Sequence, residues 1–321
     1  MEHYPLREGL SIMATCGIAD VGSNTMRLSI FQYDEAGFRL LLNKKEMAGL
    51  AGYVKEGVLS PEGIRVACRV LLSFRILLEN LGISEFHAFA TASLRNISNT
   101  EEAVDVIRSE TGVALEVISG AEEAVLSFRG ALSASRQPEH TGLLADIGGG
   151  STELVAYENG AIRSGRSLPM GSLSLYTQFV SGLFPTPEEA KRIRQQVRQE
   201  LSRAGCDDCT SFPHLLGVGG TIRAVGKLCD DLNGGAPGRL LSAEEIRELY
   251  HLLKKGDKST LRQILRSAPD RVHTFLPGLI ILNTVIKIHG VETVSVSAQG
   301  VREGYLLCRV MGKGGRDVQA G

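Results

Sequence analysis

Tryptophan is absent and aromatic residues make up only 5% of the 321 residues, so stacking partners for a nucleotide base are scarce. Charge of one sign is also missing. Thirty-five Lys and Arg against 36 Asp and Glu leave a formal net charge of −1, without the basic footprint of a dedicated nucleic-acid binder; any polyanion must be met by local donors. No apolar run reaches the roughly 20 residues that span a bilayer. The longest late stretch, Thr274 to Ile288, is interrupted by Pro277, Asn283 and Lys287. The opening MEHYPLREGLSIMATCG carries charge where a secretory signal needs an apolar core, and it lacks the Arg-rich amphipathic pattern of a transit peptide. A cytoplasmic protein with neither membrane nor nucleic-acid partners is expected.

The six cysteines, at 16, 68, 206, 209, 229 and 308, are scattered through largely apolar segments and form no disulfide framework. Cys206-Asp-Asp-Cys209 has zinc-knuckle spacing, but no second pair follows, so a loop is expected there. The seven histidines show no metal spacing, and no Ser/His/Asp arrangement or covalent nucleophile is evident.

What is present is a globular balance of 43% hydrophobic and 22% charged residues, in a chain long enough for about two domains at roughly 150 residues each. An internal repeat shows how they are built. Ala19 to Phe31 (ADVGSNTMRLSIF) aligns with Ala145 to Tyr157 (ADIGGGSTELVAY), sharing the Asp, the first Gly and a following alternating apolar run. Each copy reads as strand, tight polar loop, strand. A further strand is expected at Phe38 to Glu46, then a helix at Pro61 to Leu81, a strand at Phe86 to Ala90, a helix at Thr100 to Thr111 and a strand at Ala114 to Ile118. The second copy leads into a strand at 161 to 168, helices near 172 to 181 and 187 to 204, and a strand at His214 to Val218. Helices at Thr221 to Cys229, Ala243 to Lys254 and Ser259 to Ser267 precede a last strand at Thr293 to Ser297. Ser60-Pro61, Asn99 before Thr-Glu-Glu, and Thr186-Pro187-Glu-Glu are helix-start signals.

This succession predicts two α/β lobes around a cleft: an extension at 1 to 12, an N-terminal lobe at 13 to 135, a C-terminal lobe at 136 to 311, and a flexible tail at 312 to 321. The final helix, about 300 to 311, is a candidate to cross back onto the N-terminal lobe.

The loop Asp146-Ile-Gly148-Gly149-Gly150-Ser151-Thr152-Glu153 is the most specific feature. Its glycines let backbone N–H groups approach an anion, and Ser151 and Thr152 add hydroxyl donors. Asp146 and Glu153 would repel phosphate directly, which makes them candidates to hold Mg²⁺ or position water. Gly22, Ser23, Asn24 and Thr25 repeat the design, and Arg27 adds a guanidinium suited to phosphate. Glu122 and Glu123 start a helix, where acids either complement the helix dipole or, at a phosphate site, accept a proton from attacking water. Thr91-Ala-Ser93-Leu-Arg95 offers hydroxyls and a guanidinium at a strand end, with a solvated turn as the competing reading. Gly219, Gly220 and Thr221 form either an anion or nucleotide loop at a helix start or a plain tight turn.

With DVGSNTMRL, FATASLRN, ISGAEEA, LLADIGGGSTELV, GVGGT and VSVSAQGVREGYL in this order from Cys16 to Cys308, the chain resembles the exopolyphosphatase and guanosine pentaphosphate phosphohydrolase (Ppx/GppA) family. The resemblance implies an actin-like ATPase fold of two ribonuclease-H-like lobes, Mg²⁺ as cofactor with stimulation by K⁺, a homodimer, and phosphoric anhydride hydrolysis. It implies Glu123 as the base activating water, Asp146 and Glu153 around the metal, Gly148 to Thr152 and Gly22 to Thr25 on the terminal phosphate, and Arg95 on the phosphate chain. Inorganic polyphosphate is the expected substrate. Guanosine pentaphosphate, a nucleotide-binding regulator on the same fold and an actin-like kinase are the alternatives. Two departures stand out: no basic residue closely follows Leu168-Pro-Met-Gly171, and the chain ends soon after the Gly300 to Gly304 motif, as in the short two-domain form.

Overall fold

A computed structural model describes residues 13–134, 139–206, 211–235, 238 and 240–313. The expected 1 to 12 extension, the boundary near 135 and Cys209 lie outside the described residues, as does nearly all of the tail.

The first half runs β1 (Ala14–Val21), β2 (Met26–Tyr33), β3 (Phe38–Glu46), a short hairpin of β4 (Val54–Lys55) and β5 (Val58–Leu59), α1 (Pro61–Asn80), β6 (Glu85–Ala90), a single turn α2 (Ala92–Arg95), α3 (Thr100–Thr111), β7 (Leu115–Val117) and α4 (Gly120–Ala134). The second half runs β8 (Thr141–Ile147), β9 (Thr152–Glu158), β10 (Ala161–Leu168), α5 (Ser172–Phe179), α6 (Pro187–Arg203), β11 (His214–Val218) and α7 (Gly219–Asn233). It ends with β12 (Leu241–Ser242), α8 (Ala243–Leu253), α9 (Lys258–Ser267), α10 (Phe275–Ile288), β13 (Thr293–Val296) and α11 (Val301–Tyr305), which continues into a π-helical turn, Leu306–Val310.

The sequence repeat becomes a structural one. One sheet has the strand order β3-β2-β1-β6-β7, and the other has β10-β9-β8-β11-β13-β12. In each, three antiparallel strands meet a parallel partner on the far side of the first strand: β1 pairs with β6, and β8 with β11. The register places Asp20 opposite Arg27 and Arg27 opposite Lys45 in the first sheet. Asp146 opposite Glu153 and Glu153 opposite Ser167 repeat that row in the second. Directly opposed residues project from the same face, so each lobe presents a transverse row of polar side chains.

Ser60 Oγ accepts from Gly63 N–H at 3.3 Å, and Thr186 and Glu189 cap each other reciprocally. Asn99 differs from its sequence reading. Its side-chain amide grips both backbone groups of Leu59 at 2.9 and 3.1 Å and makes no helix cap. Sequence periodicity finds no element over 275–288, yet α10 is there and is buried almost all round, with Leu279, Ile281, Leu282 and Val285 at 0% exposure. A helix wrapped by core has no polar face to generate a period, and Pro277 is tolerated because it sits in the first turn.

The last helix ties the two halves together. Tyr305 stacks on Phe89 of β6 at 4.8 Å and, with Leu306, joins a core with Cys16, Ile18, Phe31 and Leu126. It crosses α4 at backbone contact: a methyl on Gly304 would fall on the Leu126 carbonyl, and one on Gly130 would fall on the Gly300 carbonyl. Among the described residues no helix is long and apolar enough to cross a membrane.

Candidate active site

The two repeat hairpins meet tip to tip. Gly22 N–H donates to the Thr25 carbonyl at 3.1 Å and Gly148 N–H to the Ser151 carbonyl at 3.0 Å, so Ser23-Asn24 and Gly149-Gly150 are matching two-residue loops. A side chain on Gly150 would run into Ser23 Oγ at 2.5 Å, and one on Gly149 would touch Asn24 at 3.5 Å. Gly171 abuts the Gly149 backbone from the other side. Close approach requires glycine at 150 and 171, whereas a Cβ at Gly149 would find ordinary contact, so Gly149 is placed to present its N–H group.

Around the tips lies a cleft lined by Asp20, Gly22, Ser23, Asn24, Thr25 and Arg27 from the first lobe and by Asp146, Gly148, Gly149, Gly150, Ser151 and Glu153 from the second. Glu123, Gly219, Gly220, Arg223, Arg271 and Arg302 complete its wall. Most sequence candidates therefore converge. Thr152, Thr221 and Arg95 are exceptions. Thr152 is fully buried and donates to the Met170 carbonyl at 2.7 Å. Thr221 is 2% exposed, with its methyl toward Gly278 of α10. Arg95 lies behind the wall, donating to Glu123 Oε2 at 2.8 Å and the Ile118 carbonyl at 3.1 Å, with Glu153 3.9 Å away. It holds the candidate base, where the resemblance implies a phosphate contact.

Helix α4 sorts the paired acids. Glu122 forms a capping box with Ser119, accepting from Ser119 N–H at 2.9 Å, and pairs with Arg309, so it is structural. Glu123 faces the cleft and is 7% exposed. One turn later on the same face, Ser127 donates to Asp146 Oδ2 at 2.6 Å. One helix thus positions the candidate base and orients the candidate metal carboxylate. Glu153 is held by Ser167 at 2.8 Å. Gly219 opens α7 at φ +89°, where a Cβ would strike Asp146 Oδ1 at 2.5 Å. Both its conformation and its space demand glycine.

Charge is concentrated and incompletely balanced. Burial pushes the carboxyl of Asp20 up to about 6 against the pull of Arg302 and Arg27. Burial also raises Glu123 to about 7, with Arg95 opposing and the charges of Asp146 and Asp20 adding to the rise. Asp146 is raised by burial, and Glu153 well above the usual range by burial and by Glu123 and Asp146. On the other side, burial and the guanidiniums of Arg302 and Arg223 pull Arg27 down to about 10. Crowded arginines facing crowded carboxylates are what a site for a cation and a polyanion requires.

Sequence motifs missed four of these residues. Asp20 is visible as the shared acid of the repeat, and Arg302 lies inside the quoted terminal motif. Arg223 follows Gly219 by one helical turn. Arg271 has no local signal, since only the tertiary fold lays its guanidinium over Gly220.

A model described as the Ppx/GppA phosphatase family matches residues 29–311. The chain belongs to this family. Exopolyphosphatase 1 of Mycobacterium leprae is 24% identical over 302 residues, covering 91% of this chain and 88% of that protein. The crystal structure of an exopolyphosphatase from Cytophaga hutchinsonii superposes with a TM-score of 0.84 at 25% identity, covering 93% of this chain and 98% of that one. The Aquifex aeolicus Ppx/GppA family member gives 0.77 at 28% identity, covering 94% and 99%. The two-lobed architecture is the actin-like ATPase fold.

In this Ppx/GppA chain, Arg95→Ala should lower kcat more than it raises KM. It should also move the acid limb of the pH–rate profile to higher pH, because Arg95 holds the Glu123 carboxyl down. An unchanged limb with a raised KM would instead make Arg95 a phosphate ligand.

Proposed function

We propose that this chain is an exopolyphosphatase: water deprotonated by Glu123 attacks the terminal phosphorus of inorganic polyphosphate and displaces the shortened chain. The carrying observation is the convergence of Arg27, Arg223, Arg271 and Arg302 with the paired hairpin loops and a buried, raised carboxyl at Glu123. The loops with Arg27, Arg223 and Arg302 bind and orient the terminal phosphate, and α4 holds Glu123 where it takes the proton of the incoming water. Arg95 fixes the rotamer of Glu123 and keeps its carboxylate accessible near neutral pH. Hydrolysis is then positioning plus stabilisation of charge on the transferring phosphoryl group.

The residues fit Mg²⁺. Among the described residues no group of three or more His, Cys, Asp or Glu forms a ready-made metal cage, but Mg²⁺ characteristically keeps waters and takes one or two carboxylates together with substrate phosphate. Asp146 and Glu153, opposed in register and raised by burial, are the oxygen donors that would hold it. When bound, the ion would neutralise the carboxylates and polarise the phosphoryl oxygens. Removing divalent ions with EDTA should abolish phosphate release, and Mg²⁺ should restore it.

A stability readout follows as well. Folded-state carboxyls raised to about 6 and about 7 at Asp20 and Glu123 favour the protonated folded form, so their contribution is present at low pH and lost as pH rises through 6 to 7. Without metal, the Tm should fall between pH 5.5 and 8. Added Mg²⁺ should raise it more at pH 8 than at pH 5.5, and equal shifts would contradict this siting of the ion.

One observation favours a second reading, guanosine pentaphosphate. A cavity of about 470 Å³, with Leu241, Val296 and Ala298 on one side and Lys227, Asp230 and Asp231 on the other, shares Arg223 with the cleft and offers both apolar surface and hydrogen-bonding groups to a base. Comparing phosphate release from polyphosphate and from guanosine pentaphosphate decides between them; a higher kcat/KM for the nucleotide would favour the second.

A further inference from the structure

Beyond the hydrolytic centre, the row Asp20, Arg27, Lys45 runs outward across β1, β2 and β3, so that Lys45 continues on one face the line that starts in the cleft. There it meets the other lobe. Lys45 Nζ is ion-paired with Asp270, in the turn between α9 and α10, 225 residues away in the chain. Both side chains are only partly exposed, at 24% and 37%. The next residue, Arg271, points inward over Gly220 at the start of α7 and lines the cleft opposite Arg27. Asp270 therefore sits among three cations: Lys45 by direct contact, Arg271 by sequence, and Arg27 through its field. Burial works against its charge, yet the hydrogen bond and charge of Lys45 and the charge of Arg271 hold its carboxyl below the usual range.

We infer that Asp270 is a built-in counter-anion that closes the substrate track between the lobes, and that an inner phosphate of the polyphosphate chain takes its place on Lys45 and Arg271. The inference rests on the exopolyphosphatase reading and adds a specificity element to it. The cleft proper already has Arg27, Arg223 and Arg302 for the terminal phosphate. Lys45 lies one strand, about 4.8 Å, further out at the sheet edge, where only a third or later phosphate would reach. A carboxylate and a phosphate oxygen compete for the same ammonium, and the doubly or multiply charged ligand wins once it is long enough to extend along the row. Pyrophosphate should gain little from Lys45, and longer chains more. The same turn supplies Arg271 to the cleft, so releasing Asp270 from Lys45 couples chain length to how the second lobe seats on the first.

Three variants test this: Asp270→Asn, Lys45→Gln and the double variant. Binding of tripolyphosphate to each is measured by calorimetry in a Glu123→Gln background that blocks turnover, and steady-state kinetics are measured with Glu123 intact. Asp270→Asn should tighten tripolyphosphate binding about 5- to 10-fold, lower KM with kcat nearly unchanged, and leave pyrophosphate affinity within about twofold. Lys45→Gln should weaken tripolyphosphate binding by a similar factor. In the double variant most of the gain from Asp270→Asn should disappear, because Lys45 is the cation that Asp270 contacts directly, while Arg271 and Arg27 feel it only through its field. Unchanged or weaker binding in Asp270→Asn, equal effects on pyrophosphate and tripolyphosphate, or additive effects in the double variant would each overturn the inference. Binding that behaves as described in a wild-type protein that releases no phosphate would instead overturn the hydrolase reading and leave the track intact.

Discussion

Glu123→Gln should lower kcat for phosphate release by about 10²- to 10⁴-fold, the range expected when a positioned general base is lost. The amide keeps the shape of the side chain and can still accept from Arg95 Nη1, so the α4 face that carries Ser127 and orients Asp146 should stay in place. KM should therefore change little, and the far-UV spectrum and Tm should stay close to the parent. The wild-type rate should rise with pH through a midpoint at or below about 7, since the carboxyl is raised to that value by burial, with Arg95 opposing. The midpoint should be lower when a cation offsets the charges of Asp146 and Glu153. Retention of more than a tenth of the wild-type kcat would remove Glu123 from the base role.

The second large effect concerns a residue outside the cleft wall. Gly304→Ala should destabilise the protein by about 3 kcal/mol or more, at the upper end of overpacking costs, because the new methyl falls on a backbone carbonyl. No side chain is available to rotate away, so α11 must lift off α4. That movement withdraws Tyr305 from its stack on Phe89 and Leu306 from the core it shares with Cys16 and Phe31. It also shifts Arg302, which donates to Ser29 Oγ at 2.6 Å and faces the cleft beside Arg27. A lower Tm should thus come with a raised KM. Val301→Ala, on the same helix, where a half-buried side chain packs on the edge of that core without a backbone crossing, should cost well under half as much. A Tm for Gly304→Ala within about 2 °C of wild type would mean that the helices can separate at little cost, and the last helix would then not be what fastens the lobes.

The repeat and the hairpin loops were legible in the sequence because each is local: a carboxylate, a glycine turn and an alternating strand within a dozen residues. The choice of Glu123 over Glu122 comes instead from the family resemblance, and it is visible in the fold only in how α4 turns the two acids. The same locality explains what was not legible. Arg95 and Thr152 look like anion donors in their motifs, but the tertiary fold turns one onto Glu123 and the other onto the Met170 carbonyl. Arg271 and Lys45 belong to the cleft and its edge only because two lobes, 225 residues apart at that contact, close on each other. Helix α10 escaped because it is buried almost all round, which leaves too little polar face for periodicity to detect. The missing basic residue after Leu168-Pro-Met-Gly171 is likewise a local absence. The cleft has Arg271 from another segment.

The most direct test of the hydrolytic centre is the reaction of purified protein with polyphosphate and Mg²⁺ in ¹⁸O-labelled water, following the released orthophosphate by mass. The expected result is one phosphate per cleavage carrying a single water-derived oxygen, a chain one unit shorter, and loss of both in Glu123→Gln. Release of pyrophosphate, transfer of the phosphoryl group to an acceptor without label, or no release while polyphosphate still binds would contradict a Glu123-activated water acting at the terminal phosphorus.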